Sequence, residues 1–448
     1  MSREMREIRS GRTGDHYYEI RHPSGLQILL YPKEHNNSTY AVFGTRYGSV
    51  DTTFQATGEE ACTVPEGIAH YLEHKLFESE DGDAFSRYAK TGASANAYTS
   101  FDSTCYLFSC TDQMYESLEI LLDFVQKPYF TEETVRKEQG IIGQEIRMYE
   151  DDPQWRVMFN LLGAMYHNHP VKIDIAGTVE SIARITPELL YRCYRTFYNL
   201  HNMVLCVAGK MDVEKVLALC DKMLKPSTPQ EIRRIFREEP AEVVQPRVEQ
   251  RLSVAMPLFQ LGFKEVAVPG RLPDKAVAES DILLEALASD ASPLFRRLLD
   301  AGLINESSFS YEYFEGTGYA SVIFSGDSRD PDKVAEEIKR EIASLRENGL
   351  SDAAFERAKR SVYGRNVAAL NSAGNIANAM ASSAFSGREL FRYIDCVAEA
   401  DKESVLKRLE VQLRPEYSAL SVVLPSAKYR RQGGPAGCAA GSRPPFYH

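Results

Sequence analysis

Apolar and polar positions along the chain follow two periods, one typical of strands and the other typical of helices. Residues 25–32 and 39–50 are rich in aromatic and β-branched side chains, which predicts strands. In residues 64–78 apolar side chains recur every four positions, which predicts an amphipathic helix with Pro65 in its first turn. The same reasoning predicts strands at 95–110 and 202–209, and helices at 114–126, 131–150 and 212–224.

The second half of the chain repeats this order of elements without obvious identity of sequence. Between the halves, residues 225–250 carry charge and proline without a steady period, which predicts an interdomain linker. Strand-like segments follow at 252–268 and 307–326, and helical segments at 274–301, 330–347 and 351–385. The predicted domains are 1–230 and 251–427, joined by a linker at 231–250 and followed by a disordered Gly- and Pro-rich tail at 428–448.

Length and charge narrow the class of protein. At 448 residues the chain exceeds what one ordinary core holds, which agrees with two domains. The net charge of -11 opposes a nucleic-acid surface, because such a surface is basic. The charged start lacks the apolar region of a secretory signal, and no stretch reaches the ~20 apolar residues that span a bilayer. Eight cysteines without a CxxC pair are expected to be reduced thiols, so we expect a cytoplasmic protein.

The string HYLEH at residues 70–74 carries the chemistry of the first half. A helix advances about 100° per residue, so His70 and His74 lie one turn apart on the same face and reach a single metal ion. Glu73, on the neighbouring side, reaches a water bound to that ion, and the string is the H-x-x-E-H arrangement, the inverse of the commoner H-E-x-x-H. The alternative is a surface helix with a histidine pair at i and i+4 and a solvated Glu73. The apolar stripe on the opposite face favours a helix that lines a cleft.

A third ligand is needed, because a catalytic zinc (Zn²⁺) usually takes three protein ligands and leaves one position for water. Glu138 and Glu145 lie two helical turns apart on one face of the helix predicted at 131–150. We expect Glu145 to be the third ligand. Glu138 is expected to orient a histidine or the water, with a plain surface residue as the alternative. Gly140 and Gly143 are expected to let this helix approach the histidine-bearing helix closely.

His167 and His169 are rival metal candidates. They lie two residues apart, directly before Pro170, in a segment that reads as a turn. A structural or substrate-contact loop is the expected role of this segment.

At these motifs the chain resembles the pitrilysin/insulinase family of inverted-motif zinc peptidases, and within it the processing-peptidase-like bacterial members of the YmfH-like group. The resemblance covers nearly the whole chain before the tail, and four strings carry it: VPEGIAHYLEHKLFE, GASANAYTSFDSTCYLF, KEQGIIGQEIRMYEDDP and HPVKIDIAGTVESI. It implies an α+β fold of two related domains, a zinc-bearing one and a degenerate second one. Each domain is expected to be a mostly antiparallel sheet with helices packed on one face.

The resemblance also implies a role for each motif residue. The two histidines and the downstream glutamate bind zinc, the motif glutamate is the general base, and a more distal glutamate takes part in catalysis. An Asn-Ala edge strand binds the substrate backbone by strand addition. These roles fall on His70, His74 and Glu145 for the metal, on Glu73 and Glu138 for catalysis, and on Asn96 and Ala97 for the substrate.

One departure from the family pattern bears on the partner. Two domain pairs enclose a chamber in this family, and the far half brings an Arg and a Tyr seven residues apart. In the matching stretch 292–313 these positions fall near Leu299 and Glu306, neither of which fits. Arginines and tyrosines stand nearby out of register, at Arg296, Arg297, Tyr311 and Tyr313. We therefore expect a dimer in which a paralogous subunit supplies the pair, and a catalytically poor homodimer.

Three functions follow in decreasing order of support. The first is a zinc endopeptidase that cleaves extended peptides by metal-activated water, with Glu73 as base. The second is a structural or peptide-binding subunit of a complex, which the missing Arg/Tyr pair favours. The third, a metal-dependent amidase or hydrolase acting on a small molecule, has no supporting small-ligand motif.

Overall fold

The computed structural model describes residues 4–80, 82–265 and 270–426. Numbered in chain order, the strands are β1 Glu4–Arg9, β2 His16–Arg21, β3 Gln27–Pro32, β4 Thr39–Thr45, β5 Thr53–Ala56, β6 Cys62–Thr63, β7 Glu78–Ser79, β8 Gly82–Asp83, β9 Ser94–Thr99, β10 Thr104–Cys110, β11 Met203–Gly209, β12 Ile232–Arg234, β13 Arg247–Leu252, β14 Leu258–Lys264, β15 Ser310–Gly316, β16 Tyr319–Asp327 and β17 Ser418–Pro425. The helices are α1 Ile68–Leu76, α2 Ala84–Thr91, α3 Met114–Val125, α4 Glu132–Asp151, α5 Pro153–Met165, α6 Val179–Ile182, α7 Pro187–Phe197, α8 Val213–Met223, α9 Asp274–Ala288, α10 Pro293–Asp300, α11 Pro331–Asn348, α12 Asp352–Ala369, α13 Ala373–Ser386, α14 Leu390–Glu399 and α15 Lys402–Gln412. The expected α+β class is confirmed.

Five strands of the first large sheet, β3-β11-β4-β10-β9, share their topology with the five strands of the second. The first has the order β1-β2-β3-β11-β4-β10-β9, and the second has the order β13-β17-β14-β16-β15. In the first sheet β3 runs parallel to β11, and in the second β13 runs parallel to β17, while the other pairs are antiparallel. Two small sheets, β12-β5-β6 and β7-β8, complete the strands. The repeat of element order in the sequence is therefore a repeat of architecture, in which α9 takes the place of α1.

The first sheet is buried on both faces, but by different halves of the chain. Along β11, Leu205 and Val207 pack into the large core under the helices of the first half. The alternating residues Cys206 and Ala208 pack instead against residues of α13, from the second half. A strand buried on both faces needs apolar side chains at every position, which explains the unbroken apolar run of β11.

The second sheet is covered in the reciprocal manner. Its own helices cover one face, while α5 of the first half packs on β14 and β17. Gly262 of β14 makes the close approach possible, since a Cβ there would lie 2.3 Å from Met165 Sδ. Each half therefore contributes one helix that covers the sheet of the other half. The sequence predicted helices on only one face of each sheet.

Several element boundaries differ from the prediction. The helix predicted at 64–78 begins only at Ile68, because Gly67 in left-handed conformation precedes it, so Pro65 lies outside its first turn. The predicted helix 274–301 is two helices, since Ser292 caps a new one with Pro293 at its first position. Three further segments, 95–110, 307–326 and 351–385, each contain two elements separated by a short turn.

The segment predicted as a linker contains strands and a buried ion pair. Residues 232–234 form β12 and pair with β5, and β13 begins at Arg247. Between them, the carboxylate of Glu239 accepts a hydrogen bond from Lys264 Nζ at 2.6 Å. It also accepts the backbone N–H groups of residues 167–169. The two domain boundaries stay predictions, and the tail predicted at 428–448 lies outside the described residues.

The described residues contain neither a disulfide nor a membrane-spanning helix. Seven described cysteines form no disulfide, and all but Cys62 are buried. Burial raises the pKa of the Cys193 thiol to about 12, so this thiol stays protonated. Among the described helices, none has both the length and the apolar character needed to cross a membrane.

Candidate active site

Helix α1 begins against a tight loop that fixes its position. Gly67, just before it, has a φ of 86°, and a Cβ there would lie 2.3 Å from the carbonyl oxygen of Ala176. Along α1 the predicted apolar stripe is buried: Ile68, Leu72 and Leu76 are at most 3% exposed. The opposite face of the helix is thereby directed at a cavity of about 160 Å³ between α1, α4 and β9.

Three side chains from two helices meet in this cavity. One ligand atom each from His70, His74 and Glu145 lies within 4.8 Å of the other two. Nε2 of His70 is 3.7 Å from Glu145 Oε1, and Nε2 of His74 is 3.4 Å from Glu145 Oε2. Two imidazole nitrogens and one carboxylate form a donor set typical of catalytic zinc. Among the described residues, no other group of three or more histidine, cysteine or acidic side chains brings its ligand atoms within 4.8 Å of one another.

Glu138 forms a hydrogen bond with His74 on the side of the ring that faces away from the cavity. Its Oε1 lies 3.0 Å from Nδ1 of His74, so Nδ1 carries the proton and Nε2 presents its lone pair to the cavity. Burial favours the protonated carboxyl, but the hydrogen bond to His74 and the positive charges of His74, Lys75 and Lys137 together outweigh it, so the pKa of Glu138 is lowered. The geometry is that of an orienting carboxylate, which favours this role over a plain surface residue.

The two imidazoles have opposite protonation tendencies. Burial, assisted by the neighbouring His74, lowers the pKa of His70 to about 3, so this ring is neutral at pH 7. Burial also disfavours the charge on His74, but the hydrogen bond to Glu138 and the carboxylates around it raise its pKa overall. A neutral His70 offers a free lone pair, which is the state that a metal ion requires.

Glu73 is buried beside these candidate ligands. It is 8% exposed, and its Oε2 accepts a hydrogen bond of 2.7 Å from Thr99 Oγ1, at the end of β9. Burial raises the pKa of Glu73 to about 7, although His74 and Thr99 oppose the shift. A carboxylate with a pKa near neutrality suits proton transfer in both directions. The sequence did not single out Thr99, because the contact joins residues 26 positions apart.

Two aromatic residues missed by sequence reasoning support Glu145, the candidate third ligand. Tyr149 OH donates a 2.6 Å hydrogen bond to Oε1 of Glu145, one helical turn before it. The Tyr149 ring stacks on Trp155, with centroids 4.3 Å apart. Trp155 Nε1 in turn donates to Asp174 Oδ2 at 2.6 Å. The four-residue spacing of Glu145 and Tyr149 on one helix could have indicated their contact from the sequence. The contact of Trp155 with Tyr149 depends on tertiary packing and could not have been predicted in this way.

The expected use of the glycines in α4 is wrong. A Cβ at Gly140 or Gly143 would meet nothing within 4 Å, so neither residue is needed for a close approach of α4 to α1. The helices meet instead through larger groups, as in the hydrogen bond from Tyr71 OH on α1 to the carbonyl of Val135 on α4.

The ring of His169 makes its contacts with the loop around it. Nδ1 of His169 accepts from the Val171 N–H at 3.1 Å, and its Nε2 donates to the carbonyl of Thr317 at 3.0 Å. The ring stacks on Phe236, with centroids 5.0 Å apart. Neither His167 nor His169 belongs to a metal-type group among the described residues.

The predicted substrate strand lies where strand addition is possible. β9 is the last strand of the first sheet, and Ala97 lines the cavity of the metal-type group. Asn96 is exposed, and its Oδ1 accepts the backbone N–H of Ala97 at 2.9 Å. A cleft of about 510 Å³ continues from this cavity, since both are lined by Ala97, Tyr98 and Trp155. The far wall of the cleft belongs to the second half of the chain.

The out-of-register arginines and tyrosines are engaged elsewhere. Each makes its contact inside the second half, and none lines the cavity. The pairs are Arg296 with Asp300, Arg297 with Glu341, Tyr311 with Glu285 and Tyr313 with Glu265.

Comparison with known proteins agrees with this geometry. A family model described as "Insulinase (Peptidase family M16)" matches residues 63–179, and one described as "Peptidase M16 inactive domain" matches residues 184–362. The "Uncharacterized zinc protease YmfH" of Bacillus subtilis (strain 168) is 41% identical over 92% of this chain and 97% of its own length. The "Uncharacterized zinc protease YmxG" of the same organism is 25% identical over 68% of this chain and 75% of its own length.

Solved structures show the same fold. An M16-like peptidase from Alicyclobacillus acidocaldarius is 36% identical, with a TM-score of 0.87 over 95% of this chain and 99% of its own. Pitrilysin is 16% identical, with a TM-score of 0.72 over 94% of this chain but only 46% of its own. The predicted resemblance is therefore confirmed, and the chain belongs to the M16, or insulinase, family of peptidases.

Proposed function

We propose that the chain is a zinc-dependent endopeptidase that cleaves extended peptides. The observation that carries the proposal is the convergence of His70, His74 and Glu145 within 4.8 Å, on two helices, beside the buried Glu73. The relatives named as zinc proteases support zinc as the ion. When bound by these three residues, zinc polarises the peptide carbonyl and lowers the pKa of a coordinated water to about 7.

The side chains of this site supply the proton transfers. Glu73 takes a proton from the attacking water and delivers it to the leaving amine, as general base and then general acid. Glu138 keeps the proton of His74 on Nδ1, and Tyr149 fixes one oxygen of Glu145. These two residues orient the ligands and do not contact the peptide.

We place the peptide along the free edge of β9. Asn96 and Ala97 are the residues proposed to bind its backbone as an added strand, which gives affinity with little dependence on sequence. The peptide then passes the metal-type group and enters the cleft that continues from it. Both walls of that cleft belong to one chain, so the near side of the substrate is bound without a partner.

The far side of a closed chamber is proposed to come from a paralogous subunit. The positions expected to hold an Arg/Tyr pair carry Leu299 and Glu306, and the nearby candidates bond within their own half. The match to 46% of pitrilysin agrees with a unit that works beside a second one. We also propose a cytoplasmic location, since the described cysteines are unpaired.

The test is cleavage of an unstructured fluorogenic peptide by the zinc-loaded protein, alone and mixed with a paralogue from the same genome. We expect weak cleavage alone, strong cleavage with the paralogue, and loss of both on adding a chelator. One equivalent of zinc should be present before chelation. No cleavage under any condition would contradict the proposal, and robust cleavage by the pure protein would contradict the paralogous dimer.

A second function is favoured by one observation, the departure at Leu299 and Glu306. The chain would then be a structural or peptide-binding subunit of a complex. Its signature would be zinc-dependent binding of a peptide without cleavage when the partner is present. The intact metal-type group, with its orienting glutamate and tyrosine, favours the peptidase.

A further inference from the structure

The hydroxyl of Thr99 is the contact that fixes the carboxylate of Glu73. Thr99 is 5% exposed and donates to Oε2 of Glu73 at 2.7 Å. Behind it, Thr104 is fully buried, lies 3.5 Å from the Thr99 hydroxyl and donates to the carbonyl of Tyr47. Thr99 is the last residue of β9, so the turn that follows determines where its hydroxyl lies.

The second half of the chain holds that turn. Asp102, within the turn between β9 and β10, accepts from Arg271 Nη2 at 2.6 Å and from Tyr319 OH at 3.2 Å. Arg271 also faces Glu315 at 3.6 Å, and Arg388 lies 2.9 Å from the same carboxylate. Arg271 and its partners are shielded, each with a side-chain exposure of 16% or less, so the ion pair is only weakly screened.

The other side of the turn is packed against backbone. Ser49 and Val50 donate their N–H groups to the carbonyls of Ser100 and Phe101, each at 3.0 Å. A Cβ at Gly48 would lie 2.3 Å from the carbonyl oxygen of Phe101. The turn is thus held between residues 48–50, which follow β4, on one side and Arg271 on the other.

We infer that the second half of the chain, which matches a domain described as inactive, takes part in catalysis by positioning the general base. Arg271 holds Asp102, the turn keeps Thr99 in place, and Thr99 directs one oxygen of Glu73 away from the reacting water. The other oxygen is then aligned with that water. The inference rests on the proposed function of Glu73 as base.

The first part of the test uses Thr99→Val and Thr99→Ser. Valine keeps the shape and removes the donor, so Glu73 loses a charge-assisted hydrogen bond. We expect kcat to fall about ten- to a hundredfold, with KM changed less than about twofold. Serine keeps the donor and should restore most of kcat. Equal zinc content and thermal midpoint in both variants separate positioning from a folding defect.

The second part is a double-mutant cycle between Thr99→Val and Arg271→Gln. Arg271→Gln alone is expected to lower kcat about three- to tenfold. Because Arg271 acts through Thr99, the double variant should be no slower than Thr99→Val alone. Arg247→Gln is the matched control, since Arg247 pairs with Asp332 at the surface of the second half. Its effect should be small, and additive with that of Thr99→Val.

The outcomes distinguish the inference from the proposed function. If the wild-type protein cleaves no peptide either alone or with the paralogue, the proposed function fails. If the wild type cleaves and Thr99→Val cleaves equally well, the positioning by Thr99 is wrong. If Thr99→Val is slow but Arg271→Gln multiplies the loss in the double variant, the role of the second half is wrong.

Discussion

Glu138 shows at the scale of one residue how the site is supported from outside the metal ligands. Its carboxylate lies 3.0 Å from Nδ1 of His74 and makes the ring present Nε2 to the cavity. Without this acceptor, the tautomer of His74 and the orientation of its ring are no longer fixed. The loss is expected in metal affinity first and in rate second.

Glu138→Gln is predicted to weaken zinc binding about ten- to a hundredfold, because the amide accepts a weaker hydrogen bond than the carboxylate. Competition with a chromophoric chelator measures this affinity. Glu132→Gln, in the first turn of the same helix and exposed, should leave it unchanged. Equal affinities of Glu138→Gln and wild type would refute the orienting role.

Asp281 gives a pH dependence that is independent of the active site. Burial raises the pKa of Asp281 to about 6, although the hydroxyl of Tyr393 donates to it. A carboxyl with a raised pKa in the folded state stabilises the fold below its unfolded pKa, and this stability is lost as the pH rises through about 6. Asparagine does not titrate, so the free energy of unfolding of Asp281→Asn, measured with urea, should rise relative to that of wild type as the pH increases from about 4 to about 6. A constant difference across this window would exclude the titration of Asp281.

The convergence of the three candidate metal ligands was predictable from the sequence, but their environment was not. His70, His74 and Glu145 lie on helices, and helical spacing fixes which face each occupies. Thr99 and Trp155 reach the site through tertiary packing, which spacing along the chain does not encode. The buried, hydrogen-bonded state of Glu73 follows from the same packing.

At the scale of elements, the position of α1 depends on a glycine contact. Gly67 lies in the left-handed region and faces the backbone of Ala176, which also lines the cavity. The periodicity predicted the helix and its buried stripe, but it placed the start of the helix too early. The start of the helix depends on the contact between Gly67 and the loop at Ala176, and the hydrophobic periodicity of the sequence contains no information about that tertiary contact.

Gly67→Ala is predicted to destabilise the protein by about 2–4 kcal/mol, through backbone strain and a collision with the carbonyl of Ala176. Gly58→Ala is the matched control, because Gly58 also has positive φ, at 76°, but has open space around it. It should cost only about 1 kcal/mol. Thermal unfolding of both variants checks the prediction, and equal losses would mean that the contact with Ala176 contributes nothing.

At the scale of the whole molecule, the two halves are joined by exchanged helices. α13 covers the outer face of the first sheet, and α5 covers the corresponding face of the second. The sequence predicted helices on one face of each sheet, whereas the unbroken apolar run of β11 is buried on both faces. It did not predict which helix lies there, since that depends on how the repeated units dock.

The exchange predicts one cooperative unfolding transition for the two halves. Separation would expose the faces that α5 and α13 now cover, so neither half is expected to be stable alone. Calorimetry should give a van't Hoff enthalpy equal to the calorimetric one. A fragment of residues 1–230 should be insoluble or molten, and co-expression with residues 231–448 should rescue it. Two separate transitions, or a stable isolated fragment, would contradict this account.

The central claim is that Glu73 is the base beside a zinc ion held by His70, His74 and Glu145. The most direct measurement compares Glu73→Gln with wild type, at equal zinc content and with the same partner subunit, in cleavage of an unstructured peptide. We predict one equivalent of zinc in both proteins and a rate lower by about a hundredfold to ten-thousandfold in the variant. Cleavage by zinc-loaded Glu73→Gln at the wild-type rate would contradict the account.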